Sequence, residues 1–230
     1  MSEQPERTEP GTPLPSGIGL PPVAAGWFGK LPHKGDFVFA GLNEDVREEM
    51  SRWLDGAMTD ARDALGPGWK DAFDASPAIR FWIGGEIMSW GTAIGVIVPS
   101  RDRVGRRYPL IVMTAGPVEP PTLVTDQGLH EALQVRALAL IEGAEDGDEA
   151  GPGPRLPDLI WAVNENADAS ILLGDAAAAD YTRSARGRSY WWTDGGAGRP
   201  SAMVGCDGLV DGTALAWLMT GQGGGADAPH

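Results

Sequence analysis

Two stretches of this chain, Thr92–Val98 (TAIGVIV) and Tyr108–Thr114 (YPLIVMT), are almost without polar side chains. Successive side chains of a strand point to opposite faces, so a strand with one wet face alternates apolar and polar residues. Near-continuous apolar runs describe strands covered on both faces. The stretch between them, Pro99–Arg107, is at hairpin distance with an elaborated tip. A third strand is read at Ala78–Ile83. Together these runs require a central sheet with helices on its faces.

The helices are legible from spacing. Asn43 is a good N-cap, and Glu44 and Asp45 suit the positive end of a helix dipole. Val46, Met50, Trp53, Leu54, Ala57, Met58, Ala61 and Leu65 then recur at three- and four-residue steps, which buries one face. Gly66-Pro67-Gly68 ends that helix. A second helix spans about Asp126–Glu142, with Leu129, Leu133, Ala137, Leu140 and Ile141 as its stripe. Further strands are read at Ala24–Lys30, Leu159–Val163, Ser189–Thr193 and, opposite the last, Ala202–Cys206. Ser170–Ala179 reads as a short helix or turn, and Thr213–Met219 as a short terminal helix.

The ends differ from the middle. Residues 1–22 carry Pro5, Pro10, Pro13, Pro15, Pro21 and Pro22 and little aliphatic bulk, so they read as a disordered tail. A single domain is expected over 23–220, with an acidic flexible loop at 142–154 and a frayed Gly-rich tail at 221–230.

Composition narrows function. The chain has 18 Lys+Arg against 32 Asp+Glu, a net charge of −14. That balance repels nucleic-acid backbones and anionic membrane surfaces. Cys206 is the one cysteine, so there is no disulfide framework and no Cys-rich metal site. A reducing, cytoplasmic location fits. No apolar run reaches the eighteen or so residues of a membrane span, and Met1–Pro22 lacks a secretory pattern.

Signatures of catalysis are missing. Gly29-Lys30 is followed by Leu31, not by the hydroxyl of a phosphate-binding loop. His130-Glu131 opens like a zinc-protease motif, but Gln134 stands where the second ligand belongs, so His130 reads as a helix-surface residue. Cys206 reads as a small buried hydrophobe. His33 with Asp36 could form a general-base pair, yet an exposed loop histidine and a turn-capping aspartate are the simpler reading. No catalytic residue, metal or cofactor is assigned.

Three strings carry more. Trp27-Phe28-Gly29-Lys30-Leu31-Pro32 with Gly35-Asp36-Phe37-Val38 combines backbone-fixing Gly and Pro with aromatic anchors, and Lys30 and Asp36 have the charges to close the loop. The segment 100–107 sets Arg101, Arg103, Arg106 and Arg107 against Asp102, a basic cluster in an acidic chain. Planar guanidinium groups grip carboxylates or phosphates in bidentate fashion, or pair with the chain's own acids. In Ser189-Tyr190-Trp191-Trp192-Thr193 the two tryptophans point to opposite faces, so one faces the core and the other lies under a helix or on an exposed surface.

These strings resemble the TagF family, also called ImpM, of bacterial type VI secretion accessory proteins. The matches are Gly26–Pro32 with Gly35–Val38, then Pro99-Ser100 with Asp102–Arg106 and Pro109-Leu110, and Ser189 with Trp191–Thr193. They occur in the family's order. Arg101 and Arg107, the Asp194–Pro200 loop and the 142–154 loop depart from it. The resemblance implies a three-layer α-β-α sandwich with a central mixed, largely antiparallel sheet. It also implies a cytoplasmic, post-translational repressor that binds a forkhead-associated (Fha) scaffold protein rather than a catalyst. The candidate partner-binding residues are Lys30, His33, Asp36, Ser100, Asp102, Arg103, Arg106, Arg107, Trp191 and Trp192. The contrasting classes are an enzyme or phosphate- or phosphopeptide-binding domain using the arginine loop as an anion clamp, and a structural subunit of the secretion apparatus.

Overall fold

A computed structural model of the chain describes residues 25–116, 118–144, 173, 185–195 and 199–221. The strand read at Leu159–Val163, the tails and most of the acidic loop lie outside the described residues. So does the segment Ser170–Ala179, Leu173 excepted.

In chain order the elements are β1 (Gly26–Gly29), β2 (Val38–Ala40), α1 (Glu44–Leu65), α2 (Trp69–Asp74), β3 (Ile79–Ile83), β4 (Ala93–Val98) and β5 (Leu110–Ala115). They continue with α3 (Gly128–Glu142), β6 (Arg188–Thr193), β7 (Ala202–Asp207) and α4 (Gly212–Thr220). The seven strands form one open sheet in the order β2-β1-β5-β4-β3-β6-β7. Every ladder among the described residues is antiparallel, in keeping with the largely antiparallel sheet expected.

The two apolar runs pair as expected, with Ile97 opposite Ile111 and Val96 opposite Val112. Alternation divides them between two cores. Ile79, Phe81, Ile83, Ile97, Ile111, Met113 and Trp191 pack under α1, α2 and α4. Trp82, Ile94, Val96, Val98, Leu110, Val112, Tyr190 and Trp192 pack with Leu129, Leu133, Ala137 and Leu140 of α3. Helices thus cover both faces of the sheet and make three layers. At about 25 cal/mol per Å² of apolar surface, such double coverage is the main favourable term in folding.

Local structure departs from the sequence reading in three places. Asn43 stands at the N-cap of α1, but its side chain makes no capping bond. Gly66-Pro67-Gly68 does end α1, yet it forms a single 3₁₀ turn that leads into α2, where Trp69 and Phe73 bury one turn apart. Val38–Ala40, given no element in the sequence reading, adds to β1 as the edge strand, with Phe39 opposite Phe28.

Candidate functional site

The first two sequence strings meet at one end of the sheet. Gly29 ends β1 with φ +143°, and a Cβ there would stand 2.3 Å from the carbonyl oxygen of Pro109. Only glycine lets the chain turn this close to β5. The turn delivers Lys30, whose Nζ donates to Asp102 Oδ2 at 3.0 Å, with both residues buried. Ser100 Oγ donates to the Lys30 carbonyl at 2.6 Å.

Asp102 is the hub. Its Oδ1 accepts the backbone N–H groups of Arg106 at 2.8 Å and Val104 at 3.1 Å. Its Oδ2 also accepts Arg106 Nε at 2.6 Å. Burial by itself raises a carboxyl pKa. Here the Arg106 backbone N–H, then the Lys30 and Arg106 side chains, outweigh it and hold Asp102 far below the usual carboxylate range. Asp102 is therefore a fixed anion at neutral pH, not a proton carrier.

The hub shapes a tight tip. Arg101 bridges to Arg107, Asp102 N–H donates to the Arg106 carbonyl at 3.1 Å, and Gly105 N–H donates to the Asp102 carbonyl at 2.9 Å. Gly105 sits at φ +86°, a left-handed conformation that favours glycine. Arg103 and Val104 occupy the apex, and Val104 is 71% exposed. The tip is zipped to the 31–37 loop: Arg103 N–H donates to the Lys34 carbonyl at 2.9 Å, and Arg106 Nη2 donates to the Gly35 carbonyl at 2.8 Å. Phe37 stands edge-on to Tyr108, centroids 4.7 Å apart.

The arginines therefore have different roles. Arg106 is tied to Asp102 and Gly35. Arg107 pairs with Asp74 in bidentate fashion, at 2.8 and 2.6 Å, and through those hydrogen bonds lowers the Asp74 pKa. Arg101 adds only a through-space pull on Asp74. Arg103 has no carboxylate partner among the described residues. Lys30 does not close its loop onto Asp36, as the charges suggested, because Asp102 takes its ammonium group. His33 and Asp36 are both exposed. The cavity at this end, about 240 Å³, is lined by Phe28, Phe37, Val38, Phe39, Arg47, Ser51 and Asp55, and by none of Lys30, His33, Asp36 or Arg103.

Trp191 and Trp192 are far from this surface in role. Each is 0% exposed, one in each core. Trp191 Nε1 donates to Ser189 Oγ at 2.7 Å, and Ser189 Oγ in turn donates to the Gly208 carbonyl at 2.5 Å. The Ser-x-Trp string is thus a strand lock rather than an interface, and the candidate binding surface loses both tryptophans.

One cluster escaped the sequence reading. Arg80, buried on β3, donates to Gln127, Gln134 and Asp194. Trp192 Nε1 donates to the same Gln127 oxygen at 2.8 Å. His130 lies beside it, not on the helix surface as its motif suggested. Its Nε2 is 3.2 Å from the Phe81 carbonyl and its ring stands edge-on to Trp192. A carbonyl only accepts, so Nε2 carries the proton in the neutral ring. Burial, helped by nearby Arg80, pushes its pKa down to about 3. His130 falls three residues before Leu133 and seven before Ala137, and that spacing was the available signal.

The family described as "TagF N-terminal domain, Type VI secretion system-associated" matches residues 26–150, which contain the whole Lys30–Asp102–Arg106 knot. The chain belongs to the TagF family. Its membership makes it a type VI secretion-associated protein. The TagF match ends before β6, but a solved structure extends the likeness further. The Pseudomonas aeruginosa PAO1 protein PA0076 is 30% identical over 90% of this chain and 97% of its own, with a TM-score of 0.64. No curated relative matches the chain. No helix among the described residues is long and apolar enough to cross a membrane.

Proposed function

We propose that this TagF-family protein represses type VI secretion after translation, in the cytoplasm, by binding a forkhead-associated (Fha) scaffold protein. The binding surface is the 100–107 tip together with the 31–37 loop. One observation carries this reading: the buried Asp102 knot consumes Lys30 and Arg106 and holds Val104 and the Arg103 side chain outward, Arg103 with no carboxylate partner among the described residues. A protein that must recognise another benefits from a tip fixed before binding, because less conformational entropy is then lost on association. The same division of labour speaks for a binder over an anion-clamping enzyme, since the cations are engaged separately rather than converging on one cavity.

The test is a pull-down from the native bacterium with the tagged chain, read by mass spectrometry. The reading expects the forkhead-associated scaffold in the wild-type eluate and its depletion with Arg103→Ala. Stoichiometric recovery of the assembled apparatus instead would make the protein a structural subunit. A retained small phosphorylated molecule, with no secretion component, would make it a ligand-binding domain or an enzyme.

A further inference from the structure

We propose that the open edge of β2 receives an extended, acidic segment of a partner protein as an added strand. One bulky apolar side chain of that segment seats against Phe37 and Phe39. This rests on the binding reading above and specifies how the partner is held.

Among the described residues the edge is open and apolar. β2 ends the sheet and pairs only with β1 among the described residues. An unpaired edge presents backbone donors and acceptors that template another strand. Phe37 and Phe39, two residues apart and so on one face, are 55% and 54% exposed. They border the cavity of about 240 Å³ against Arg47, Ser51 and Asp55 of α1. The opposite edge, β7, carries no exposed large hydrophobic side chain. The aromatic pair therefore marks this edge in particular.

The rings are held ready. The Lys30 ammonium lies 5.0 Å from the Phe37 ring centre, and the Arg47 guanidinium 4.8 Å from that of Phe39. Tyr108 braces Phe37 and spends its hydroxyl on Asp55 at 2.9 Å. Rings fixed in this way lose little freedom on binding.

Charge selects the occupant. The Arg103 guanidinium, with no carboxylate partner among the described residues, is placed 3.5 Å from where a Gly35 side chain would begin. The Arg106 side chain is 60% exposed although it is tied to Asp102. Arg47, at the other end of the aromatic pair, is ion-paired with Glu44. The surplus positive charge lies at the 100–107 tip, where Arg101, Arg103, Arg106 and Arg107 stand against Asp102 in a chain of net charge −14, so an acidic segment is attracted to that end of the edge.

The probe is a synthetic peptide of alternating Asp and Leu, about eight residues long, against the same peptide with Lys for Asp. Binding to the full chain is followed by fluorescence anisotropy and by amide hydrogen exchange. The expected result is a preference of about tenfold or more for the acidic peptide. It comes with slowed exchange at 37–40 and a loss of about fivefold or more in Phe39→Ala at unchanged Tm. Equal affinity for both peptides, or exchange at 37–40 left unchanged, overturns the proposal. So does a concentration-dependent dimer of the chain itself that Phe39→Ala abolishes, because the edge would then serve a second copy. If the forkhead-associated scaffold fails to bind while the acidic peptide protects β2, the edge stands and the scaffold falls. If the scaffold binds wild type and Phe39→Ala equally, the edge falls and the scaffold stands.

Discussion

Lys30 Nζ meets Asp102 Oδ2 at 3.0 Å across 72 positions of sequence, and this contact is the knot that joins the first two motif strings. It turns two loops into one rigid surface. Residues that looked like binding groups in the sequence, Lys30, Ser100, Asp102 and Arg106, prove to be the frame. Arg103 and Val104 are what the frame displays.

Asp102→Asn is expected to lower Tm at pH 7 more than Lys30→Gln does, because Asp102 also serves Arg106 and two backbone N–H groups. The sign with pH follows from its depressed folded pKa. The stability from Asp102 is fully present above the unfolded value of about 3.9 and is lost as pH falls toward the lower folded one. Thermal melts from pH 7 to pH 2 should show the gap between wild type and variant closing below about pH 4.

His130 gives a second acid-sensitive term, in a higher window. Its folded pKa of about 3 lies below the ordinary value of about 6.5, so the unfolded chain binds the extra proton between them. Stability is lost as pH falls through that interval, by an amount on the order of a few kcal/mol. His130→Phe keeps a ring beside Trp192, gives up one hydrogen bond worth about 1 kcal/mol, and should flatten the melting profile between about pH 6 and pH 4.

Trp191→Ala and Trp192→Ala should each cost about 3–5 kcal/mol, the range for emptying a well-packed aromatic site. Denaturant titrations check this. Trp192→Phe isolates the polar part of the effect, since it leaves the Gln127 oxygen bonded to Arg80 but not to an indole N–H.

Gly29→Ala tests the turn that delivers Lys30. The new Cβ would stand 2.3 Å from the Pro109 carbonyl oxygen, at a φ of +143°. The expected outcome is a loss of at least about 2 kcal/mol by chemical denaturation. Gly105→Ala, with open space around its Cβ, meets only the backbone penalty of about 1 kcal/mol.

The layered fold was legible because its evidence is periodic. The apolar runs at 92–98 and 108–114 can only be strands wetted on neither face, and the stripe from Val46 to Leu65 can only be one helix face. The missed elements are those too short for a period to show. Three residues make β2, and six make α2. The site was legible as motif residues but not as roles. Whether Asp102 or Asp36 receives Lys30 depends on a long-range contact that no local spacing encodes. Alternation placed Trp191 and Trp192 on opposite faces correctly. It did not say that α3 would cover the second, because α3 is apolar around much of its circumference and His130 looked like a motif fragment rather than part of the stripe.

The measurement that bears most directly on the account is titration calorimetry of the purified chain against the purified forkhead-associated scaffold, with wild type, Arg103→Ala and Arg107→Ala side by side. Wild type is expected to bind, and Arg103→Ala to lose about tenfold or more in affinity at unchanged Tm. Arg107→Ala, which breaks only the Asp74 pair, should bind within about threefold of wild type. No binding by wild type, or equal affinity for a folded Arg103→Ala protein, would contradict it.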